Sequence, residues 1–207
     1  MLMSRGGSKP ETPDGGGKRA TPQRGDAVVD TSSIQTEFGH LLLRAWDKWR
    51  GTALLPTRAD MFLEDISAIL GNVTLLELRG PDEAVVRLAG TRICEVFGQE
   101  LKGRNYLDLV PPEARGLRAR RLQYMIAHPC GAVLQGTYSA RSGMTFRSEQ
   151  VALPVRPATP DAAPQLLTVA AVMPGQPRPT HMPESELGRL PDTFRFLDIG
   201  AGIPNVD

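Results

Sequence analysis

The sequence predicts an α+β domain: an antiparallel sheet of about five strands, short helices on one face, and an amphipathic helix ahead of the sheet. Three observations predict it. The strand-like runs "NVTLLELRG" and "AVVRLAG" flank the turn "GPDE" and read as a hairpin. Three more strand-like runs, "GAVLQGTYSA", "MTFRSEQVALPV" and "QLLTVAAVM", follow one another late in the chain. Before and between these groups apolar residues recur at helical spacing, and grouped strands and helices of this kind build an α+β domain.

In chain order, residues 1–31 are rich in Gly, Pro and mixed charge, hold almost nothing to bury, and are expected to form a disordered tail. At the start of the ordered part, Ser32 with Gln35 resembles a capping box. Phe38, Leu41, Leu42, Ala45, Trp46 and Trp49 then repeat at helical spacing, giving an amphipathic helix with both tryptophans of the chain on its apolar stripe. Two roles are open to that stripe: packing on the chain's own core, or a dimer or partner surface anchored by Phe38, Leu42, Trp46 and Trp49.

Gly51 and Pro56 end this helix and lead into a second short one, "TRADMFLEDISAIL", with Met61 or Phe62, Ile66, Ile69 and Leu70 as its buried side. After the hairpin, "TRICEVFG" and "NYLDLV" read as short helical pieces. "PPEARGLRARRLQYMIAHP" reads as a longer helix entered through Pro111-Pro112 and closed before Pro129. The last strand is apolar nearly throughout, which suits a sheet centre covered on both faces. The domain is expected over residues 32–174, followed over 175–207 by a linker and a docking tail.

A chain of 207 residues holds one core with extensions. Its net charge of +1, with 41% apolar and 23% charged residues, argues against a whole-chain polyanion binder. Cys94 and Cys130 form no disulfide framework, C-x-x-C pair or Cys/His cluster, which fits a reducing compartment. The start has too short an apolar run for a signal peptide, and no segment approaches the roughly 20 apolar residues needed to cross a bilayer. The chain therefore reads as cytoplasmic, without membrane contact.

Several stretches carry a family resemblance. The pattern P-x-R-x-D (Pro56, Arg58, Asp60), the pattern R-L-x-G-T (Arg87, Leu88, Gly90, Thr91), the phrase from Phe97 to Arg104, and "EQVALP" before a terminal apolar strand resemble stand-alone bacterial PAS-domain proteins of the α-proteobacteria. The resemblance spans about Phe38 to Met173, and "RFLDIGAG" is itself similar to a tail of that family. It implies a five-stranded antiparallel sheet with short helices enclosing a small pocket. It also implies signal sensing or protein–protein regulation, often in two-component signalling, and no enzymatic activity.

Four motifs test other functions. "LDIGAG" (Leu197 to Gly202) looks like the glycine loop of an S-adenosylmethionine-dependent methyltransferase, but such a loop needs a following helix and a ribose-binding acid, and only Ile203 to Asp207 follow. Light-sensing PAS domains carry G-R-N-C, whereas Gly103-Arg104-Asn105 is followed by Tyr106, so covalent flavin chemistry is not expected. Haem sensors supply a histidine from inside the long helix, and here His128 comes only at its exit, beside Pro129; His40 and His181 are too scattered to form a metal site with it.

The segment from Lys102 to Arg121 is locally basic, with Arg104, Arg115, Arg118, Arg120 and Arg121, yet Arg118 and Arg121 share a stripe with Ala114 and Met125 instead of forming a clean basic face. That argues against nucleic acid and leaves solvated arginines, or one of them as an anion clamp in the pocket or as part of a surface for an acidic partner.

Alternation along "AVVRLAG" puts Arg87 with Val85 and Ala89, partly buried and in need of a carboxylate from Asp60, Asp65 or Glu77. Candidate pocket or core residues are thus Arg58, Asp60, Arg87, Gly90, Thr91, Arg104, Tyr106 and Tyr124. The expected function is a non-enzymatic sensory or interaction module acting through a signalling protein such as a two-component histidine kinase. A homodimer and a small-molecule ligand fit this reading, and the cofactor is left open.

Overall fold

The computed structural model describes residue 29 and residues 31–159 and 161–205, so most of the expected N-terminal tail lies outside the described residues. Among the described residues three α-helices, α1 (Glu37–Arg50), α2 (Thr91–Phe97) and α3 (Pro112–Ala127), accompany six strands. The strands are β1 (Val73–Gly80), β2 (Glu83–Ala89), β3 (Gly131–Ser139), β4 (Thr145–Val155), β5 (Gln165–Val172) and β6 (Thr193–Leu197). They form one sheet in the order β2-β1-β5-β4-β3-β6, with every neighbouring pair antiparallel.

The expectation of five strands is corrected to six. The tail itself supplies β6, pairing with β3 from Gly131 opposite Leu197 to Gln135 opposite Thr193. Its alternation is only five residues long, so it is legible as a strand only beside a partner. Phe194 and Phe196, two residues apart, fall on one face, where their rings meet edge to face at 4.9 Å. β5, the apolar run, lies between β1 and β4 with Leu166, Leu167, Val169 and Ala171 buried.

The two sheet faces carry separate cores. On one, α1 lays Leu42, Leu43, Trp46 and Trp49 against Val73, Val151, Leu153, Val155 and Val169, with Leu197 and Ile199 closing the end. Trp46 is fully buried and donates its indole N–H to the Pro154 carbonyl at 2.8 Å, so its one polar atom is satisfied. Each side chain of this size buried from water contributes about 1.5–3 kcal/mol.

Burial on the chain's own sheet corrects the interface reading of Leu42, Trp46 and Trp49, because an apolar stripe facing a sheet is not available to a partner; Phe38 is half-buried at its edge. Next along the chain, 3-10 turns over Arg58–Asp60 and Leu63–Asn72 replace the expected short helix and bury Met61, Ile66 and Ile69, while Phe62 faces solvent.

The start of α1 differs from expectation too. Its N-cap is Thr36, whose hydroxyl accepts from Gly39 N at 3.1 Å, while Ser32 lies in a preceding turn. The buried carboxylate of Glu149 on β4 does the rest of the capping. It accepts from the backbone N–H of Gln35 and Thr36, the Thr36 hydroxyl and the Gln135 amide at 2.7–3.0 Å. A helix start pressed onto a sheet has no water for its free N–H groups, and a carboxylate there also meets the positive end of the helix.

On the opposite face α2, the 3-10 turn Tyr106–Leu109 and α3 cover a second core that includes Leu76, Val86, Leu107, Leu122, Met125 and Leu134. Gly90 makes the junction: a Cβ there would lie 2.3 Å from the carbonyl oxygens of both Leu70 and Gly71, so only glycine fits between β2 and α2.

Candidate functional site

Between the sheet and α2–α3 lies a cavity of about 160 Å³. The central strands build its floor with Thr74, Gln150 and Thr168 among Leu76, Leu134 and Ala152, and α2 and α3 add Ile93, Phe97, Leu122 and Met125. A strap running from β5 to β6 crosses its mouth, placing Pro179, Met182, Gly188 and Arg189 on the wall.

The strap is tied by backbone bonds from Met182 N to the Val96 carbonyl at 2.9 Å and from Arg141 N to the His181 carbonyl at 3.0 Å. Arg92 also donates to the Pro179 carbonyl. Gly188, at φ +66°, sits so close to the Leu109 carbonyl that a Cβ would come within 2.4 Å of it. Met182 and Leu187 pack with Ala140 and Phe146 in a third small core. The linker expected over these residues is thus a packed cover.

Two arginines on α3 define the chemistry of the cavity. Arg118 is 6% exposed, donates to the Tyr106 hydroxyl and, at 3.1 Å, to the Arg189 carbonyl, and leaves its Nε–H without a partner. Arg121, one turn on, lies with its guanidinium 4.1 Å from the Phe194 ring centroid. Burial, then the like charge of Arg118, holds the Arg121 guanidinium below its ordinary value.

Among the described residues neither arginine has a carboxylate within ion-pair distance. Among the described residues Glu186 is the carboxylate on the cavity wall, and Arg189 engages it at 3.1 Å. Burial pushes the Tyr138 phenol up, Arg118 opposing, so it remains a neutral hydroxyl beside them.

Of the residues singled out from sequence, Tyr106 lines this cavity. Asp60 caps the turn at Thr57 instead, and the Thr57 hydroxyl and backbone N–H bonds hold its carboxyl below the usual range; the Arg58 N–H bonds the Arg156 carbonyl at 2.9 Å. The P-x-R-x-D pattern is therefore a local turn away from the cavity.

Arg87 is half-exposed, correcting the expectation of burial. Leu75 pairs with Leu88 and Leu76 with Val86, so Arg87 is the extra residue of a bulge on an edge strand, and it meets Glu77 at 3.5 Å. Thr91 and Arg104 are exposed, Arg104 donating to Gln99, and Tyr124 lines a shallow surface dip with Gly116 and Gln123.

Cys94 and His128 are not among the cavity-lining residues: Cys94 lies near Glu100, and His128 is the C-cap of α3. The Cys130 thiol, in the core, is pushed up to about 12 by burial and by Asp198.

The glycine-rich tail has a structural role. Asp198 Oδ1 accepts from Gly200 N and Gly202 N, both at 2.8 Å, and the two glycines take φ of +113° and +82°. This turn seats Ile199, fully buried, while its carbonyl accepts from Arg50 at 3.2 Å. It follows an antiparallel edge strand, whereas a cofactor loop follows a parallel strand of a βαβ unit.

The basic segment is split: Arg118 and Arg121 line the cavity, Lys102, Arg104 and Arg120 face solvent, and Arg115 is half-buried. Of the readings left open for them, a solvated face describes Lys102, Arg104 and Arg120, and a position on the cavity wall describes Arg118 and Arg121. The available signal was that both shared a stripe with Ala114 and Met125. Thr74 and Thr168 carried a second one, as polar residues within the apolar runs of β1 and β5.

The family model of the PAS domain matches residues 35–169. No curated protein matches. Among solved structures, a fungal LOV domain photoreceptor is similar at 21% identity over 49% of this chain and 73% of its own, with a TM-score of 0.35. The PAS domain of an HTR-like protein from Haloarcula marismortui is similar at 16% identity over 54% of this chain and 94% of its own, with a TM-score of 0.33. A Rhodobacter sphaeroides LOV protein is similar at 15% identity over 56% and 70%, with a TM-score of 0.37.

Proposed function

The chain belongs to the PAS domain family, and from that premise we propose that it is a non-enzymatic sensory module that binds a small molecule and signals through a partner protein. The observation that carries this reading is the cavity of about 160 Å³ between the sheet and α2–α3, with the strap across its mouth. An engineered cavity of about 150 Å³ takes up benzene, so this volume suits a ligand of about one ring.

The strap is the part best placed to transmit occupancy. It touches the cavity through Met182 and Arg189 and continues into β6 at the sheet edge. A histidine kinase of a two-component system is the partner class we favour, a second copy of the chain being the other, and the cytoplasm is the proposed compartment. Among the described residues no helix is long and apolar enough to cross a membrane.

Native mass spectrometry with absorption spectra of the purified full-length chain tests the reading. The expected result is a noncovalent small-molecule adduct, retained or acquired from a metabolite library. A mass that stays bare against such a library would overturn the sensing half of the proposal.

A further inference from the structure

The cavity's walls are mostly apolar, yet two guanidinium groups stand on one of them without a counter-charge. Buried cations are normally paired, because desolvation costs several kcal/mol per ion and a partner repays it. Arg118 is 6% exposed and its Nε–H has no partner. Arg121, a turn away on the same stripe, is set against an aromatic ring instead of a carboxylate. The remaining arginines of the wall are occupied: Arg92 pairs with Glu95 at 3.1 Å, and Arg189 with Glu186 at 3.1 Å. The unbalanced charge is therefore local to α3.

We propose that the cavity binds a small monocarboxylate with an apolar body of about one ring, its carboxylate held by Arg118 and Arg121. This rests on the reading of the cavity as a ligand site and adds the class of ligand. Guanidinium groups match the two oxygens of a carboxylate with paired N–H donors, and the bonds are charge-assisted. The Tyr106 ring centroid lies 5.7 Å from the Arg118 guanidinium, Tyr138 also lines the cavity, and Leu134, Met125 and Phe146 offer surface for the apolar body. Inorganic phosphate would satisfy the charge and leave the apolar walls unused. An uncharged ring would do the opposite.

The test uses the dialysed full-length chain and four probes at matched ionic strength: benzoate, toluene, benzylamine and inorganic phosphate. Binding is measured by calorimetry. Benzoate is expected to bind at least tenfold more tightly than the other three. Arg118→Met and Arg121→Met are each expected to lose at least tenfold in benzoate affinity while changing toluene affinity little. Circular dichroism of each variant confirms the fold, and the second arginine serves if the first variant does not fold.

Toluene or benzylamine binding as well as benzoate would overturn the anion assignment and leave the cavity as a ligand site. Phosphate binding as tightly as benzoate would overturn the apolar body. Benzoate affinity unchanged in both variants would overturn the clamp. If none of the four probes binds, the proposed ligand class fails, while an adduct in the native mass spectrum would still support a ligand of another kind.

Discussion

The two faces of the sheet are built from similar helices and apolar strands, yet they differ in how completely their polar groups are satisfied. Under α1 the Trp46 indole has its carbonyl and the Trp49 indole donates to Asp65 at 2.8 Å. There the Glu149 carboxylate is saturated by backbone and side-chain donors. Under α3 the packing leaves a cavity, and Arg118 and Arg121 face it without a carboxylate. A face whose tryptophan indoles and buried carboxylate are matched contributes stability; one that keeps charge and volume unmatched has them available for something else.

That contrast can be broken by substitution. Trp46→Ala should cost the most, about 3–5 kcal/mol in chemical denaturation, through a large void and a lost indole hydrogen bond on the matched face. A loss below about 1 kcal/mol would show that the α1 face does not dominate stability. Glu149→Ala should cost about 2–3 kcal/mol, because it strands the N–H groups of Gln35 and Thr36 in a buried place. Hydrogen exchange should quicken first at the start of α1, and uniform quickening would argue against a local capping role.

Alkali sharpens the comparison more gently. The Cys130 thiol is raised from 9.0 to about 12 by burial and Asp198. The unfolded chain therefore ionises first, so this thiol's contribution is complete below about pH 9 and declines as pH rises toward 12. A Cys130→Ala variant should lose less stability between those pH values than the parent. Equal slopes would place the thiol in a more polar setting than the fold implies.

Much of the fold was legible because its signals are local. The hairpin turn at Gly80 to Glu83, the proline entry to α3 and the unbroken apolar run of β5 each mark an element without reference to the rest of the chain. β6 was not, since "TFRFL" becomes a strand only through its pairing with β3. The cap of α1 was missed for a related reason: its acceptor, Glu149, lies 113 residues from Thr36 in the sequence.

At the site, the motif patterns led to turns and junctions. Arg58 and Asp60 shape a surface turn, and Gly90 admits two carbonyls where no Cβ fits. Arg118 and Arg121 were visible as misfits on an apolar stripe, but burial and a missing carboxylate are properties of space, which spacing along a helix does not encode. The glycines of "LDIGAG", the most suggestive motif by pattern, close a turn on Asp198.

Stability is expected to reside under α1 and binding capacity under α3. Denaturation and benzoate calorimetry on one variant, Arg118→Met, test this most directly. Replacing a buried cation that lacks a counter-charge by an apolar side chain of similar length relieves desolvation and like-charge repulsion, which offsets the hydrogen bonds to Tyr106 and Arg189 that are given up. Stability within about 1 kcal/mol of the parent is expected together with at least a tenfold loss of benzoate affinity. A stability loss as large as that of Trp46→Ala, with benzoate affinity intact, would contradict it.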